Sequence, residues 1–174
     1  MSYTCGETPP STLRAVLRAL TLREGDEFVD LGCGRGQTIF FSRLLFGLKA
    51  RGYDLVAPFI LKARLINCFL RLSDVDFFCQ SLTMADLHLA RVIYLVSTTF
   101  SDELMKEVME KLREAPAGAY VVSVSRPLEE EFLERFRKEY LLFTWGHAPV
   151  YYYTRKGEPG PLPDEGLISA QSRR

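Results

Sequence analysis

Apolar runs of strand length alternate with apolar stripes at helical spacing along most of the chain. Leu13, Val16, Leu17 and Leu20 recur at i, i+3, i+4 and i+7, one buried face of a helix that Ser11 or Thr12 can cap and that runs to about Leu22. Glu27–Leu31 reads as the first strand and Gln37–Phe46 as a helix. Lys49–Tyr53 reads as the second strand, closing on Asp54, and Pro58 suits the first turn of a helix that ends near Leu72. Val75–Cys79 is the third strand, Ser81–Leu89 a connector with one helical turn, and Arg91–Val96 the fourth strand. Ser101, Asp102 and Glu103 open a helix whose buried face is Leu104, Met105, Val108, Met109 and Leu112, and Pro116 and Gly118 end it. Ala119–Val124 is the fifth strand. Leu128–Tyr140 is expected to be helical, because Glu129, Glu130 and Glu131 come early and Arg135, Arg137 and Lys138 late, which matches the helix dipole. Leu141–Thr144 and Val150–Thr154 form a closing antiparallel pair around Trp145–Pro149.

The alternation implies an α/β fold. We expect a mostly parallel, Rossmann-like seven-stranded sheet with helices on both faces and a C-terminal antiparallel β-hairpin. A chain of 174 residues suits one domain, here 1–155, and the glycines and prolines beyond it predict a flexible tail over 156–174.

Composition narrows the classes. The formal net charge is +0, which argues against binding nucleic acid by bulk electrostatics. Cys5, Cys33, Cys68 and Cys79 form no C-x-x-C pair and only His88 and His147 accompany them, so no metal site is expected. This cysteine usage and the polar, proline-bearing N-terminus fit a reduced, cytoplasmic protein without a signal peptide. Val56–Leu72 is the most apolar stretch, but it carries Lys62, Arg64 and Arg71 and is too short to span a bilayer. Arg64, Asn67 and Arg71 are expected as an exposed polar stripe on an otherwise apolar helix, which makes that helix a candidate interface. The protein is expected as a monomer or homodimer.

The most informative segment is Val29-Asp-Leu-Gly-Cys-Gly-Arg-Gly-Gln37. A strand, a turn with Gly32, Gly34 and Gly36, and a helix bring a backbone close to a nucleotide-like ligand. Dinucleotide sites use G-x-G-x-x-G to hold a pyrophosphate. Here Asp30 precedes the first glycine by two positions; its carboxylate would repel a pyrophosphate and suits the ammonium of S-adenosylmethionine (SAM). The segment resembles motif I of class I SAM-dependent methyltransferases. Asp54, at the end of the second strand, suits hydrogen bonds from ribose hydroxyls, or alternatively the start of the next helix. Ser81 follows the third strand, where class I methyltransferases often place an acid near the adenine amino group.

Further segments sharpen the resemblance. Tyr3-Thr-Cys-Gly-Glu-Thr8, Val121-Val-Ser-Val-Ser-Arg-Pro-Leu128 and Trp145-Gly-His-Ala-Pro-Val-Tyr-Tyr-Tyr153, together with the terminal Gln37 of the glycine motif, resemble histone-lysine methyltransferases of the disruptor of telomeric silencing family. The resemblance implies that Gly6, Glu7 and Thr8 form a loop over the methionine part of SAM and that Gln37 helps hold it. It also implies that Phe100, Trp145 and Tyr152 line the channel of a target amine. Two departures bear on this: Val96 and Ser97 replace a pair of asparagines, and no counterpart of the family's large N-terminal helical region or lysine-rich DNA-binding segment is expected. Val96 is expected against the cofactor, and Tyr3, Ser97 and Tyr152 near the transferred methyl group. The expected activity is therefore methyl transfer from SAM to an amine, first of all a non-histone protein lysine. The alternatives are a small-molecule methyltransferase and a SAM-binding regulatory protein without catalysis.

Overall fold

The computed structural model describes residues 6–157, so Tyr3, Cys5 and most of the expected tail lie outside the described residues. Seven strands form one sheet in the order β3-β2-β1-β4-β5-β7-β6. They are β1 (Glu27–Leu31), β2 (Lys49–Asp54), β3 (Val75–Cys79), β4 (Ala90–Val96), β5 (Tyr120–Val124), β6 (Leu133–Phe143) and β7 (Gly146–Arg155). The first five run parallel, and β7 is antiparallel to both β5 and β6. The helices are α1 (Pro10–Arg18), α2 (Gln37–Phe46), α3 (Ala57–Leu70) and α4 (Asp102–Leu112).

The central strands β1 and β4 are covered on both sides, which is why they read as largely apolar runs with Asp30 the one buried acid. Leu13, Val16 and Leu17 of α1, Ile39 and Phe40 of α2, and Ile60 and Ala63 of α3 pack on one face. Val108, Met109 and Leu112 of α4 pack on the other. Truncating a fully buried side chain such as Ile39 costs roughly 2–5 kcal/mol, so either layer is sensitive to a single deletion. No helix among the described residues is long and apolar enough to cross a membrane.

Three local expectations are corrected. Leu128–Tyr140 is not a helix: Leu133–Phe143 is the edge strand β6, paired with β7 along its length with a register shift between Arg135 and Arg137. Strand β7 needs a partner on its second side, and the charges that matched a helix dipole instead guard an exposed edge. The closing hairpin is correspondingly longer than expected and turns at Thr144 and Trp145. Helix α1 starts at Pro10 with Pro9 as its N-cap, so neither Ser11 nor Thr12 caps it; the Thr12 hydroxyl donates to the Leu142 carbonyl and ties α1 to β6. In the polar stripe of α3, Arg64 and Arg71 are exposed as expected, but Arg64 and the half-buried Asn67 are also engaged with β3. Arg64 Nε and Nη2 donate to the Phe77 carbonyl at 3.0 and 2.6 Å, and Asn67 Nδ2 to the Val75 carbonyl at 2.9 Å. These two side chains satisfy the free edge of β3; Ile60 and Ala63 are buried, and Leu61, Leu65, Ile66 and Phe69 of α3 face outward.

Candidate active site

The loop after β1 is built for close approach. Gly32, Gly34 and Gly36 have φ of 101°, 53° and 80°, a region open to glycine at little cost. Gly36 caps the N-terminus of α2, and a Cβ there would sit 2.4 Å from Phe77 Cε1. The amides of Gly32 and Cys33 donate to the Tyr53 carbonyl at 2.9 and 3.0 Å. Asp54 accepts from the Gly34 amide through Oδ2 and from the Val56 amide through Oδ1, each at 2.8 Å. A carboxylate has about four acceptor positions, so Asp54 holds the loop and keeps capacity for further donors.

This loop borders a hollow at the carboxyl ends of the strands. Gly6, Glu7, Thr8, Asp30, Gln37, Thr38, Tyr94 and Val96 complete its wall. Asp30 is buried and accepts a hydrogen bond from the Thr38 hydroxyl. Burial pushes its carboxyl up to about 7, the Thr38 bond opposes this, and the charge of Asp54 adds to the rise. Gln37 Oε1 is buried without a hydrogen-bond partner. Beside Asp30 on β4, the fully buried Tyr94 places its hydroxyl 2.8 Å from Thr8 Oγ1; burial raises the phenol well above its ordinary range.

The segment Gly6–Thr8 lies over the hollow as a strap fastened to the hairpin turn. The Glu7 amide donates to Thr144 Oγ1 at 2.9 Å, the Thr144 amide to the Glu7 carbonyl at 3.4 Å, and Arg35 pairs with Glu7 at 3.6 Å. Trp145 stacks on Phe143 at 4.7 Å and covers Gly6, where a Cβ would come within 2.4 Å of Trp145 Cε3.

Glu7, Thr8, Asp30, Gly32, Gly34, Gln37 and Val96 therefore share one wall, while Gly36 and Asp54 shape its loop. Phe100 sits over Gly32, with Cζ 3.6 Å from where a Cβ would be. Other candidates stand elsewhere. Ser81 opens the 3-10 turn Leu82–Met84 by accepting from the Thr83 amide. Ser97 is buried and gives its hydroxyl to the Val124 carbonyl at 2.8 Å, so that group is spent inside the sheet and is not on the hollow's wall. The Tyr152 side chain is buried, and its hydroxyl donates to Glu139 Oε1 on β6. Burial, then Glu139, raises its pKa. Trp145 reaches the hollow only through Gly6. Tyr94, Thr38, Arg35 and Thr144 were not singled out from the sequence. Alternation marks Tyr94 as core, and only the pairing of β1 with β4 sets it beside Asp30. Among the described residues no group of three His, Cys, Asp or Glu side chains could hold a metal ion.

The wall can hold a zwitterion. Asp30 and Gln37 Oε1 offer acceptors for a cation, and the N-terminus of α2, which lacks a side-chain cap, offers amides for an anion.

Strand order, loop and hollow together are those of the class I SAM-dependent methyltransferase fold. An RNA methyltransferase from Salinibacter ruber, solved with S-adenosyl-L-homocysteine, aligns with a TM-score of 0.72 at 24% identity over 91% of this chain and 99% of that one. A geranyl diphosphate methyltransferase in complex with GPP and sinefungin aligns at 0.69 and 14% identity, over 83% and 77% of the two chains. The [4+2]-cyclase SpnF aligns at 0.70 and 12%, over 84% and 80%. Such likeness carries the fold and leaves the reaction to the site. A family described as "Histone methylation protein DOT1" matches residues 1–57, which include α1, β1, the glycine loop, α2 and β2. No curated protein sequence matches the chain.

Proposed function

We propose that the protein is a SAM-dependent methyltransferase acting on an amine, with a protein lysine as the acceptor. The reading rests first on Asp30 and Gln37 Oε1, a buried acid and a buried unpartnered acceptor on the wall of one hollow. A buried carboxylate without a counter-charge and a buried acceptor without a donor are each costly, and an α-ammonium offsets both costs. SAM, when bound, supplies a methyl group already activated on a sulfonium.

The chain's own residues would bind, orient and exclude water. Asp30 and Gln37 would take the α-ammonium and the first amides of α2 the carboxylate. Asp54 would take the ribose hydroxyls, and Gly32, Gly34 and Gly36 would let the backbone lie against the ligand. Ser81 would lie toward the adenine, and Val96 would pack on the cofactor. Glu7 and Thr8, on the strap, would shield the methionine end from water. Phe100 and Trp145 would flank the approach of the amine, and Tyr152 would support that side from beneath. A lysine ammonium (free pKa about 10.4) must lose its proton before attack, and an apolar approach favours the neutral amine.

The match of residues 1–57 to the histone methylation family supports lysine as the acceptor. The formal net charge of +0 speaks for a protein or small molecule over RNA. One observation favours a second reading, SAM binding without catalysis: Val96 and Ser97 stand where the resembled family has two asparagines, and the Ser97 hydroxyl is consumed by Val124.

Incubation with methyl-labelled SAM and lysate from the protein's own source, read by gel and mass spectrometry, tests the reading. A labelled protein band with a methylated lysine is the expected result. Label confined to small molecules would move the acceptor to a metabolite, and SAM binding with no label in any fraction would favour the regulatory reading.

A further inference from the structure

Helix α3 sits at the margin of the sheet, and only Ile60 and Ala63 of its side chains are buried. Arg64 and Asn67 turn inward to the carbonyls of β3. The opposite side presents Leu61, Leu65, Ile66 and Phe69 to solvent, with Leu65 71% and Phe69 87% exposed. At 3.6 residues per turn Leu61, Leu65 and Phe69 form one continuous stripe, with Lys62 beside it. A row of large apolar side chains left in water marks a surface that meets something else.

Charge selects the occupant. Between Asp54 and Asp74 there is no acidic residue, whereas Lys62 beside the stripe and Arg71 just past the end of α3 are cationic, in a chain whose formal net charge is +0. Two copies meeting face to face on this helix would bring like charges together with no acid to pair them. Strand addition is also discouraged, because the Arg64 and Asn67 side chains occupy the Phe77 and Val75 carbonyls on the edge of β3. An apolar stripe bordered by cations suits the headgroup boundary of an anionic bilayer, where apolar side chains enter the acyl region and cations meet phosphate.

We propose that the outer side of α3 docks the protein on membranes rich in anionic phospholipid. The docking is peripheral: α3 lies in the plane of the membrane surface and does not cross it. The site of methyl transfer plays no part in this inference.

Flotation of the full chain with phosphatidylcholine vesicles, with and without phosphatidylglycerol, tests the proposal. The expected result is binding to the anionic vesicles that weakens by roughly tenfold or more on neutral ones. The double variant Leu65→Glu, Phe69→Glu should lose the binding while keeping its circular dichroism spectrum and melting temperature, because both side chains are exposed. Failure of the wild-type chain to float with anionic vesicles would overturn the proposal, as would equal flotation of the double variant. A concentration-dependent dimer in light scattering that the double variant abolishes would overturn it in favour of a second copy.

Discussion

The Tyr94 hydroxyl and Thr8 Oγ1 lie 2.8 Å apart under the strap, joining the central strand β4 to the segment that covers the hollow. Both residues are buried, so the two hydroxyls satisfy one another with little access to bulk water. Tyr94→Phe should leave Thr8 unsatisfied and destabilise the protein by about 1–3 kcal/mol in urea unfolding. It should also loosen the strap and weaken SAM binding by roughly tenfold, as the cost of ordering the strap shifts to the binding step. Undiminished affinity in calorimetry would show that the strap is held without this contact.

Asp30 makes stability and binding respond to pH in opposite senses. Its carboxyl is raised from 3.8 to about 7, so folding favours the neutral form. The group's contribution to stability is complete below its unfolded value and declines as pH rises through about 7. Asp30→Asn removes the titration. The variant should match the wild type near pH 4 and exceed it by about 2–4 kcal/mol near pH 8 in urea unfolding. SAM binding by the wild type should instead tighten as pH rises through the same region, because the ionised carboxylate is the partner of an ammonium. A stability difference independent of pH would contradict the assignment.

Gln37 isolates the ligand-facing acceptor from the fold. Its Oε1 has no partner within the protein, so Gln37→Met removes a buried polar atom and no internal hydrogen bond made by that oxygen. The melting temperature should stay level or rise, while SAM affinity falls roughly tenfold. A fall in melting temperature with unchanged affinity would give Gln37 a structural role.

Much of the sheet was legible because its signals are local. Strands β1 to β5 and helix α2 follow from apolar runs broken by glycine, proline and acids, and β1, α2 and β3 match their expected bounds. The misread segment carries two patterns at once. Phe136 and Tyr140 are spaced as on a helix, and the charges of Glu134, Arg135, Arg137 and Lys138 serve an edge strand equally well. What decides is the length of β7, which no feature of residues 128–140 reveals. The orientation of α3 was hidden for a similar reason: Arg64 and Asn67 look solvent-facing until the bare carbonyls of β3 are seen beneath them. At the site, glycines and acids announce the hollow, whereas Tyr94 and Thr144 join it through strand register and hairpin geometry.

Gly6 and Trp145 should behave as a coupled pair. Gly6→Ala places a methyl group into the indole ring, which lifts the strap from the turn. SAM affinity should fall by roughly tenfold or more, with the core intact by circular dichroism, and adding Trp145→Ala should recover part of the loss. Additive effects of the two substitutions would mean that they act separately.

The hollow over Asp30 is expected to bind SAM. Isothermal titration of the purified protein with SAM, beside its Asp30→Ala variant, tests this most directly. The expected result is saturable binding of one ligand per chain by the wild type and loss of that binding in a variant that still melts cooperatively. Absence of binding by the wild type, or equal affinity of the variant, would contradict it.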